Sequence, residues 1–198
     1  MEEELQKIKV LPNKPSLLLH ACCAPCSSYV LELLRDIFDI TIYFYNPNIY
    51  PEKEYFRRLN ELKSFLSEFD KGSEVKLIEE NYTPMEFAAC SSGMEEETEG
   101  SKRCFSCYEL RMSKTAQKAS EEKFDYFCTT LSISPHKNAE KINEIGRELS
   151  KIYNVKFLYS NFKKKNGFIR SLEISKDFDL YRQEYCGCEY SIRDILPE

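Results

Sequence analysis

The sequence has no apolar run long enough to cross a membrane. Its longest apolar stretches have the length of a β-strand, far short of the roughly 20 residues that a spanning helix needs. The first residues, MEEELQKIKV, are acidic and lack the apolar segment of a secretion signal. Internal repeats and low-complexity linkers are also missing. We therefore expect a cytoplasmic protein that makes no contact with a membrane.

An excess of positive charge is also missing. The 198 residues include 28 Lys and Arg against 33 Asp and Glu, which gives a formal net charge of −5. This balance excludes a protein that binds nucleic acid through its overall charge, although a local basic patch could still contact phosphates. The clearest basic segment is KKKNGFIR, from Lys163 to Arg170. A solvated turn explains this segment equally well.

What the chain does have is a regular alternation of apolar runs with stretches of helical spacing. This pattern favours an α/β fold, in which helices cover both faces of a parallel sheet. Right-handed crossovers would make it a three-layer, Rossmann-like (HUP-like) fold, and we expect residues 1–198 to form one such domain. The predicted strands are 15–21, 40–45, 75–78, 124–131 and 155–159. The predicted helices are 27–38, with Ser27 and Ser28 as its caps, 52–69, 84–89, 104–123, 138–150 and most of 171–185.

Two loops are predicted to meet at one edge of this sheet. Ligands of such folds bind beyond the carboxyl ends of the strands. The segment HACCAPC, residues 20–26, follows the first strand, and a loop with the second of the two histidines, His136, follows the fourth. We expect the C-terminal part, about residues 171–198, to close over this edge.

Cysteine is abundant, with nine residues. In a reducing compartment, clustered cysteines bind metals or exchange electrons more often than they form structural disulfides. Cys22, Cys23 and Cys26 precede a predicted helix, whose N-terminus lowers the pKa of a nearby thiol. Neighbouring residues of a regular strand point to opposite faces, so a site shared by Cys22 and Cys23 requires an irregular backbone. The alternative, three small residues that pack a tight turn, is weaker for so dense a group.

Two further cysteine pairs lie at short spacing. The segment Cys104–Cys107 (CFSC) begins a predicted helix, so both sulfurs lie on one side of it. The segment Cys186–Cys188 (CGC) allows either a strained disulfide or a shared metal. Cys128, within the fourth strand, is expected to be a core residue. Cys90 has no assigned role.

Several kinds of thiol chemistry are compatible with these pairs. The first pair and the CFSC pair together supply four thiolates, the number that holds either a [4Fe–4S] cluster or structural zinc. CFSC alone also allows dithiol–disulfide exchange. Cys26 and the CGC pair exceed what a closed tetrahedral zinc site can use, and surplus thiols beside a cluster suggest reduction chemistry.

Five longer motifs carry more specific information. They are HACCAPCSS, FYNPNIYPEKEY, KRCFSCYELRMSKTA, FDYFCTTLSISPHKN and LYRQEYCGCEYS. Together they resemble the cobalamin-independent, iron–sulfur epoxyqueuosine reductase family (QueH), and the resemblance covers nearly the whole chain. It implies an oxidoreductase that removes the epoxide oxygen of epoxyqueuosine in tRNA as water, which is the last step of queuosine synthesis.

The resemblance also implies cofactors and partners. The implied ligands of a [4Fe–4S] cluster are Cys22, Cys23, Cys104 and Cys107. Cys186 and Cys188 would be catalytic, either as a reversible disulfide or, with Cys26, as ligands of a second, mononuclear iron. The implied substrate is tRNA that carries epoxyqueuosine at the anticodon, and an unidentified electron donor is required.

The reaction needs a proton donor and the tRNA needs a binding surface. The candidate proton donors, each of which could instead have a packing or orienting role, are His20, His136, Tyr181 and Tyr185. The candidate phosphate contacts are Lys102, Arg103, Lys137 and Lys163–Lys165. The segment Tyr43–Tyr50 could stack an extruded base or could pack the end of a strand.

Two other functions stay open from the residues alone. One is a cluster-containing, ATP-dependent tRNA-modifying enzyme of the same α/β group. Such an enzyme needs a glycine-rich phosphate loop after the first strand, and CCAPCSS has no glycine. The other is a zinc-stabilised, non-catalytic RNA-binding module, which would be colourless where an iron–sulfur protein is brown.

Overall fold

The computed structural model describes residues 1–69 and 75–193. Its centre is a five-stranded parallel sheet with the strand order β3-β2-β1-β4-β5. The strands are β1 Ser16–His20, β2 Asp39–Phe44, β3 Lys76–Glu79, β4 Tyr126–Thr129 and β5 Lys156–Phe157. This order, in which the chain winds outward from β1 in both directions, is that of a Rossmann-like fold. The predicted α/β fold is confirmed.

Helices cover both faces of the sheet. They are α1 Glu2–Lys9, α2 Ala24–Leu34, α3 Glu52–Phe69, α4 Pro84–Ser91, α5 Lys102–Glu121, α6 Ala139–Tyr153, α7 Gly167–Asp177 and α8 Glu189–Arg193, with a 3₁₀-helix at Thr130–Ile133. Leu17 and Leu19 of β1 belong to a core cluster with α2 and α3, whereas Leu18 belongs to a second cluster with α5 and α6. Alternate side chains of a strand point to opposite faces, so these two clusters are the two interfaces of a three-layer fold.

The strand register brings three loops to one edge. His20, the last residue of β1, lies opposite Tyr43 of β2 and Thr129 of β4. The chain therefore leaves β1, β2 and β4 at nearly the same level of the sheet. Both loops that were expected to meet at this edge do so.

The first crossover helix begins earlier than predicted. Helix α2 begins at Ala24, with Cys23 as its N-cap and Pro25 in its first turn, where a missing N–H removes no helical hydrogen bond. The prediction that Ser27 and Ser28 cap this helix is wrong. Their hydroxyls donate to the carbonyl oxygens of Cys23 and Pro25, inside the helix.

The chain after α7 also differs from the prediction. The helix predicted over 171–185 ends at Asp177, and residues 178–188 contain no helix. Asp179 adopts a φ of 50°, in the left-handed region, and the backbone N–H of Tyr181 donates to the carboxylate of Glu61. Because these conformations and contacts replace helical hydrogen bonds, the segment runs as an irregular strap across the carboxyl edge of the sheet. The predicted fourth strand also ends early, because its last residues form the 3₁₀-helix.

Within 1–69 and 75–193, no helix combines the length and the apolar character needed to span a membrane.

Candidate metal centre and substrate pocket

The thiols of Cys22, Cys23 and Cys26 meet just beyond the end of β1. Their sulfur atoms all lie within 4.8 Å of one another, and the Cys22 and Cys23 sulfurs are 3.8 Å apart. Neighbouring residues can share a site because the backbone leaves the strand at Ala21, whose carbonyl accepts a hydrogen bond from Asn46. In the part of the chain that the structure describes, this is the one group of three or more metal-capable side chains at such distances.

The local chemistry favours a thiolate on Cys22. Hydrogen bonds from the thiols of Cys23 and Cys26 lower the pKa of Cys22 well below its ordinary value. The same hydrogen bonds raise the pKa of Cys23, to about 12, and that of Cys26. The N-terminus of α2 adds its positive dipole at this point. The group can therefore present one thiolate readily, and a bound metal would be needed to deprotonate the others.

A second group of thiols lies on α5 and the C-terminal strap. Cys107 and Cys188 are buried together against Phe87, and Cys90 packs against them. Burial raises the pKa of Cys107 to about 12 and also raises that of Cys188. The position of Cys90 beside these thiols was missed because its surrounding sequence is irregular and gives no spacing signal.

Cys104 completes this second region. Its sulfur accepts a hydrogen bond from the backbone N–H of Gly100, at 3.2 Å. Neither Cys104 nor Cys107 belongs to the close group around Cys22. The structure thus places the predicted cysteines in two neighbouring groups, and the predicted four-ligand set would have to draw from both.

A pocket of about 350 Å³ opens beside the first group. Cys22 and Cys26 line it from α2 and the loop before it, and Cys186 lines it from the strap. The ammonium of Lys137 donates to the sulfur of Cys186 at 3.4 Å. Other side chains that line it include the carboxylates of Glu99 and Glu184 and the side chains of His136, Phe168, Arg182, Gln183 and Tyr185.

Gln183 links the pocket to the thiols. Its side-chain nitrogen donates to the sulfur of Cys23 at 3.2 Å. Its side-chain oxygen is buried and has no hydrogen-bond partner.

Two buried arginines flank the thiols. Arg58 is 1% exposed and Arg111 is 2% exposed. Arg58 donates to the carboxylate of Glu54 at 2.7 Å and to the carbonyl of Cys186 at 3.2 Å. Arg111 donates to the carbonyl of Cys107 at 3.2 Å. A donor set made only of thiols, with buried positive charge beside it, fits a metal group of net negative charge such as a thiolate-bound iron–sulfur cluster.

His20 has a structural role. It is fully buried, its Nε2 lies 3.1 Å from the carbonyl of Tyr45, and its Nδ1 lies 2.9 Å from the hydroxyl of Thr129. Because a carbonyl only accepts, Nε2 carries the proton and Nδ1 accepts from the hydroxyl. Burial lowers the pKa of His20 to about 4. The ring therefore joins three strand ends, and both nitrogens are already used, which favours the orienting role over proton donation.

Burial contradicts the phosphate contact predicted for Arg103, and for Tyr43 and Tyr45 it selects the packing alternative. Arg103 is 2% exposed and donates to the carbonyls of Met94 and Glu95, so it cannot reach a phosphate. Tyr43 and Tyr45 are 2% and 3% exposed, so they pack the end of β2 and cannot stack a base.

Of the other predicted contacts, two lysines bond to groups of the protein itself and one tyrosine is exposed. The side chain of Lys137 is directed at Cys186, and Lys163 donates to the carbonyl of Lys137. Tyr50, at the end of the Tyr43–Tyr50 segment, is 51% exposed.

The fold and the site together define a class: a Rossmann-like α/β protein with a cluster of thiols that could hold a metal at the carboxyl edge of its sheet. A sequence model of one family, described as "Epoxyqueuosine reductase QueH", matches residues 17–194. The chain is 50% identical over 182 residues to the epoxyqueuosine reductase QueH of Streptococcus pyogenes serotype M1, which covers 91% of this chain and 71% of that protein. The chain belongs to the epoxyqueuosine reductase QueH family, which confirms the resemblance seen in its motifs.

More distant relatives agree. The QueH of Staphylococcus epidermidis is 47% identical, over 90% of this chain and 77% of that protein. The QueH of Thermotoga maritima is 34% identical, over 89% of this chain and 90% of that protein. Among solved structures, the U34-tRNA thiolase NcsA from Methanococcus maripaludis with its [4Fe-4S] cluster has a TM-score of 0.52 at 13% identity. The match covers 96% of this chain and 66% of the thiolase, just under two thirds of its length. At this identity the likeness shows a shared fold.

Proposed function

We propose that this protein is a cytoplasmic oxidoreductase that converts epoxyqueuosine in tRNA to queuosine. The epoxide takes up two electrons and two protons, both C–O bonds break, and the products are an alkene and water. The observation that carries the proposal is the meeting of thiols from β1–α2 and from the C-terminal strap around one pocket. Family membership favours this activity over a zinc-stabilised RNA-binding module and over an ATP-dependent enzyme.

A [4Fe–4S] cluster is the proposed cofactor. When bound, it would supply electrons one at a time to the neighbouring pocket. We propose Cys22, Cys23, Cys104 and Cys107 as its ligands. Cys186 and Cys188 then serve as the second redox element, either as a disulfide or, with Cys26, as ligands of a further iron.

The chain's own groups bind the substrate and handle the protons. Lys137 holds the sulfur of Cys186, and Gln183 lines the pocket while its amide nitrogen donates to Cys23. Tyr185 and His136 line the pocket and are the proposed proton donors. Burial raises the pKa of Tyr185. Its hydroxyl donates to the carbonyl of Tyr50 at 2.8 Å, so it must exchange this partner for the epoxide oxygen in order to act as the donor.

The C-terminal part is proposed to close the site as a segment of the same domain. Tyr50 donates its N–H to the carbonyl of Gly187 at 2.7 Å, and Gln183 reaches the first thiol group. These contacts hold the strap on the edge of the sheet at its middle and near its C-terminal end. Residues 194–198, which the prediction included, lie outside the described residues.

The proposed macromolecular partner is tRNA that carries epoxyqueuosine at the anticodon, together with an electron donor. Lys102, Lys164 and Lys165 lie on the surface and are the proposed phosphate contacts. A bound anticodon would place its modified base in the pocket, where the guanidinium carbon of Arg182 lies 5.7 Å from the centroid of the Phe168 ring.

The activity is tested with protein that has been reconstituted with iron and sulfide under anaerobic conditions. It is incubated with a reductant and epoxyqueuosine-containing tRNA, and the digested nucleosides are analysed by mass spectrometry. Queuosine should form with the wild type and should fall to background with C186S, while C128S, which changes a thiol inside the core, should retain activity. Absence of queuosine from a wild type with an intact cluster would refute the proposed function.

The ligand assignment has its own test, in a matched pair of variants. If the proposed ligands are right, C107S loses the iron and sulfide of the cluster and C26S retains them. The opposite result would show that the close group of Cys22, Cys23 and Cys26 holds the cluster. Iron content, acid-labile sulfide and the electron paramagnetic resonance spectrum of the reduced protein distinguish the two outcomes.

A further inference from the structure

Arg111 is a buried cation on the same face of α5 as Cys107, one turn further along the helix. It is 2% exposed, and its Nε donates to the carbonyl of Cys107. Its Nη2 is buried and has no hydrogen-bond partner. The backbone carbonyl of Arg111 accepts a hydrogen bond from the hydroxyl of Thr115, which lies one turn further along the helix.

No carboxylate neutralises this guanidinium among the residues that the structure describes. Arg58, its counterpart on the other side, forms an ion pair with Glu54 at 2.7 Å, whereas no ion pair includes Arg111. A buried charge without an opposite charge is strongly destabilising, since it has lost its hydration and gained nothing in return. The opposite charge must therefore come from another kind of group.

Burial disfavours the charged form of Arg111, and the acidic groups that oppose this effect are the thiols of Cys107, Cys186 and Cys22 and the phenol of Tyr108. Arg111 thus holds a buried charge against Cys107 of the second thiol group, while the ammonium of Lys137 lies on Cys186 of the strap. A fixed cation on α5 interacts with any anionic centre that these thiolates hold.

We propose that Arg111 is the fixed counter-charge of the metal–thiolate centre, a positioning residue that favours retention of the centre and its reduced state. This inference rests on the proposed function, because it requires a centre of net negative charge. Reduction adds one more negative charge to that centre, so a nearby cation stabilises the reduced state more than the oxidised state. Loss of the cation should make reduction harder and metal loss easier.

The same reasoning predicts an opposite effect on the metal-free protein. With no cluster present, the charge of Arg111 is poorly compensated. Replacing a buried charge by an apolar side chain of similar length is often neutral or stabilising. R111M should therefore weaken the loaded protein without destabilising the metal-free one. An ordinary packing residue would lose stability in both states.

The experiment compares the wild type with R111M, R111K and R147M. Arg147 lies on the exposed side of α6, so R147M removes the same charge from the surface. The midpoint potential is measured by dye-mediated titration followed by electron paramagnetic resonance, and cluster loss by the rate of iron release to a chelator. In R111M the reduced state should be disfavoured about tenfold, a shift of about 59 mV to more negative potential for a one-electron couple. Its iron release should be about tenfold faster.

The controls decide between a charge effect and a packing effect. R111K keeps the charge, so its equilibrium constant for reduction of the cluster should lie within about threefold of the wild-type value. The potential of R147M should match that of the wild type. Metal-free R111M should unfold in urea at the same or a higher concentration than the metal-free wild type. Should R111M fail to fold, R111Q, which can still donate to the Cys107 carbonyl, has the same expected potential shift.

Equal potentials and equal iron release in R111M, R147M and the wild type would overturn the role of Arg111 and leave the proposed function intact. A wild type that never holds an iron–sulfur centre would overturn both. A destabilised metal-free R111M with an unchanged potential would make Arg111 a packing residue.

Discussion

The turn between Cys186 and Cys188 depends on a glycine that no other residue can replace without cost. Gly187 has a φ of 124°, and a Cβ at this position would lie 2.8 Å from Nη1 of Arg58. That guanidinium cannot easily move away, because it is buried and bonded to Glu54 and to the carbonyl of Cys186. The substitution G187A should therefore combine backbone strain with a steric clash.

The expected magnitude follows from these two contributions. An unfavourable backbone conformation costs about 1–3 kcal/mol, and overpacking at a rigid site adds about 1–3 kcal/mol. Gly93 is a matched control, since its φ is 76° but a Cβ there would meet nothing within 4 Å. G93A should show strain without a clash, and G187A, with its larger φ of 124°, should be less stable than G93A by at least about 1–3 kcal/mol.

Urea unfolding of the metal-free proteins measures this difference. The chain has no tryptophan, so far-ultraviolet circular dichroism is the suitable signal. Each 1 kcal/mol corresponds to a decrease of about 2–4 °C in Tm for a protein of this size, which gives an independent check. Equal stabilities of G187A and G93A would refute the view that Arg58 and Glu54 hold the strap rigidly.

Three further predictions concern residues away from the thiol centre. Asp125 accepts two hydrogen bonds from Ser16, which lower the pKa of its carboxyl. The substitution D125N should therefore reduce the free energy of unfolding by about 1 kcal/mol near pH 7. This difference between the two proteins should shrink as the pH falls through the pKa of Asp125. C128A should keep its full iron and sulfide content, because the thiol of Cys128 is buried in β4, and iron loss there would contradict the ligand assignment. N143A should cost about 2–4 kcal/mol in urea unfolding, since it leaves the buried N–H and C=O of Ser160 without their partner, whereas a loss below 1 kcal/mol would show that water replaces the amide.

Much of the fold could be predicted from the sequence because its signals are local. Helix α3 has the predicted bounds of Glu52 to Phe69, since its apolar residues recur at helical spacing. The first two strands are also where the apolar runs predict them. Helix α1 was missed, because only Leu5 and Ile8 of its charged sequence are buried. Two apolar residues are too few to produce a periodic pattern.

The strap could not be predicted, because its conformation is set by contacts that are distant in sequence. Tyr181 is held by Glu61 and Gln183 by Cys23. The local sequence alone favours a helix there. Only the folded sheet brings these partners close enough to compete with helical hydrogen bonds.

The sequence indicated which cysteines lie at the carboxyl edge, but it did not indicate the charges beside them. The short spacing of the cysteines drew attention to these thiols, since clustered cysteines have few other uses in a reducing compartment, and their roles stay a prediction. The buried arginines gave no such signal, because an arginine in a helix is ordinarily a surface residue. The four-residue spacing of Cys107 and Arg111 is the one clue that sequence reasoning could have used.

The position of the thiols relative to the core determines which parts of the fold a bound metal would stabilise. Both large core clusters fill the two faces of the sheet with side chains from α2, α3, α5 and α6. Most of the thiols lie beyond the strand ends, and the small cluster of Phe87, Cys107 and Cys188 joins α4 and the strap to α5. A bound centre would therefore contribute little to the sheet and much to the attachment of α4 and the strap. Since the strap lines the pocket, the same thiolates that would hold the metal also fix the wall against which the substrate binds.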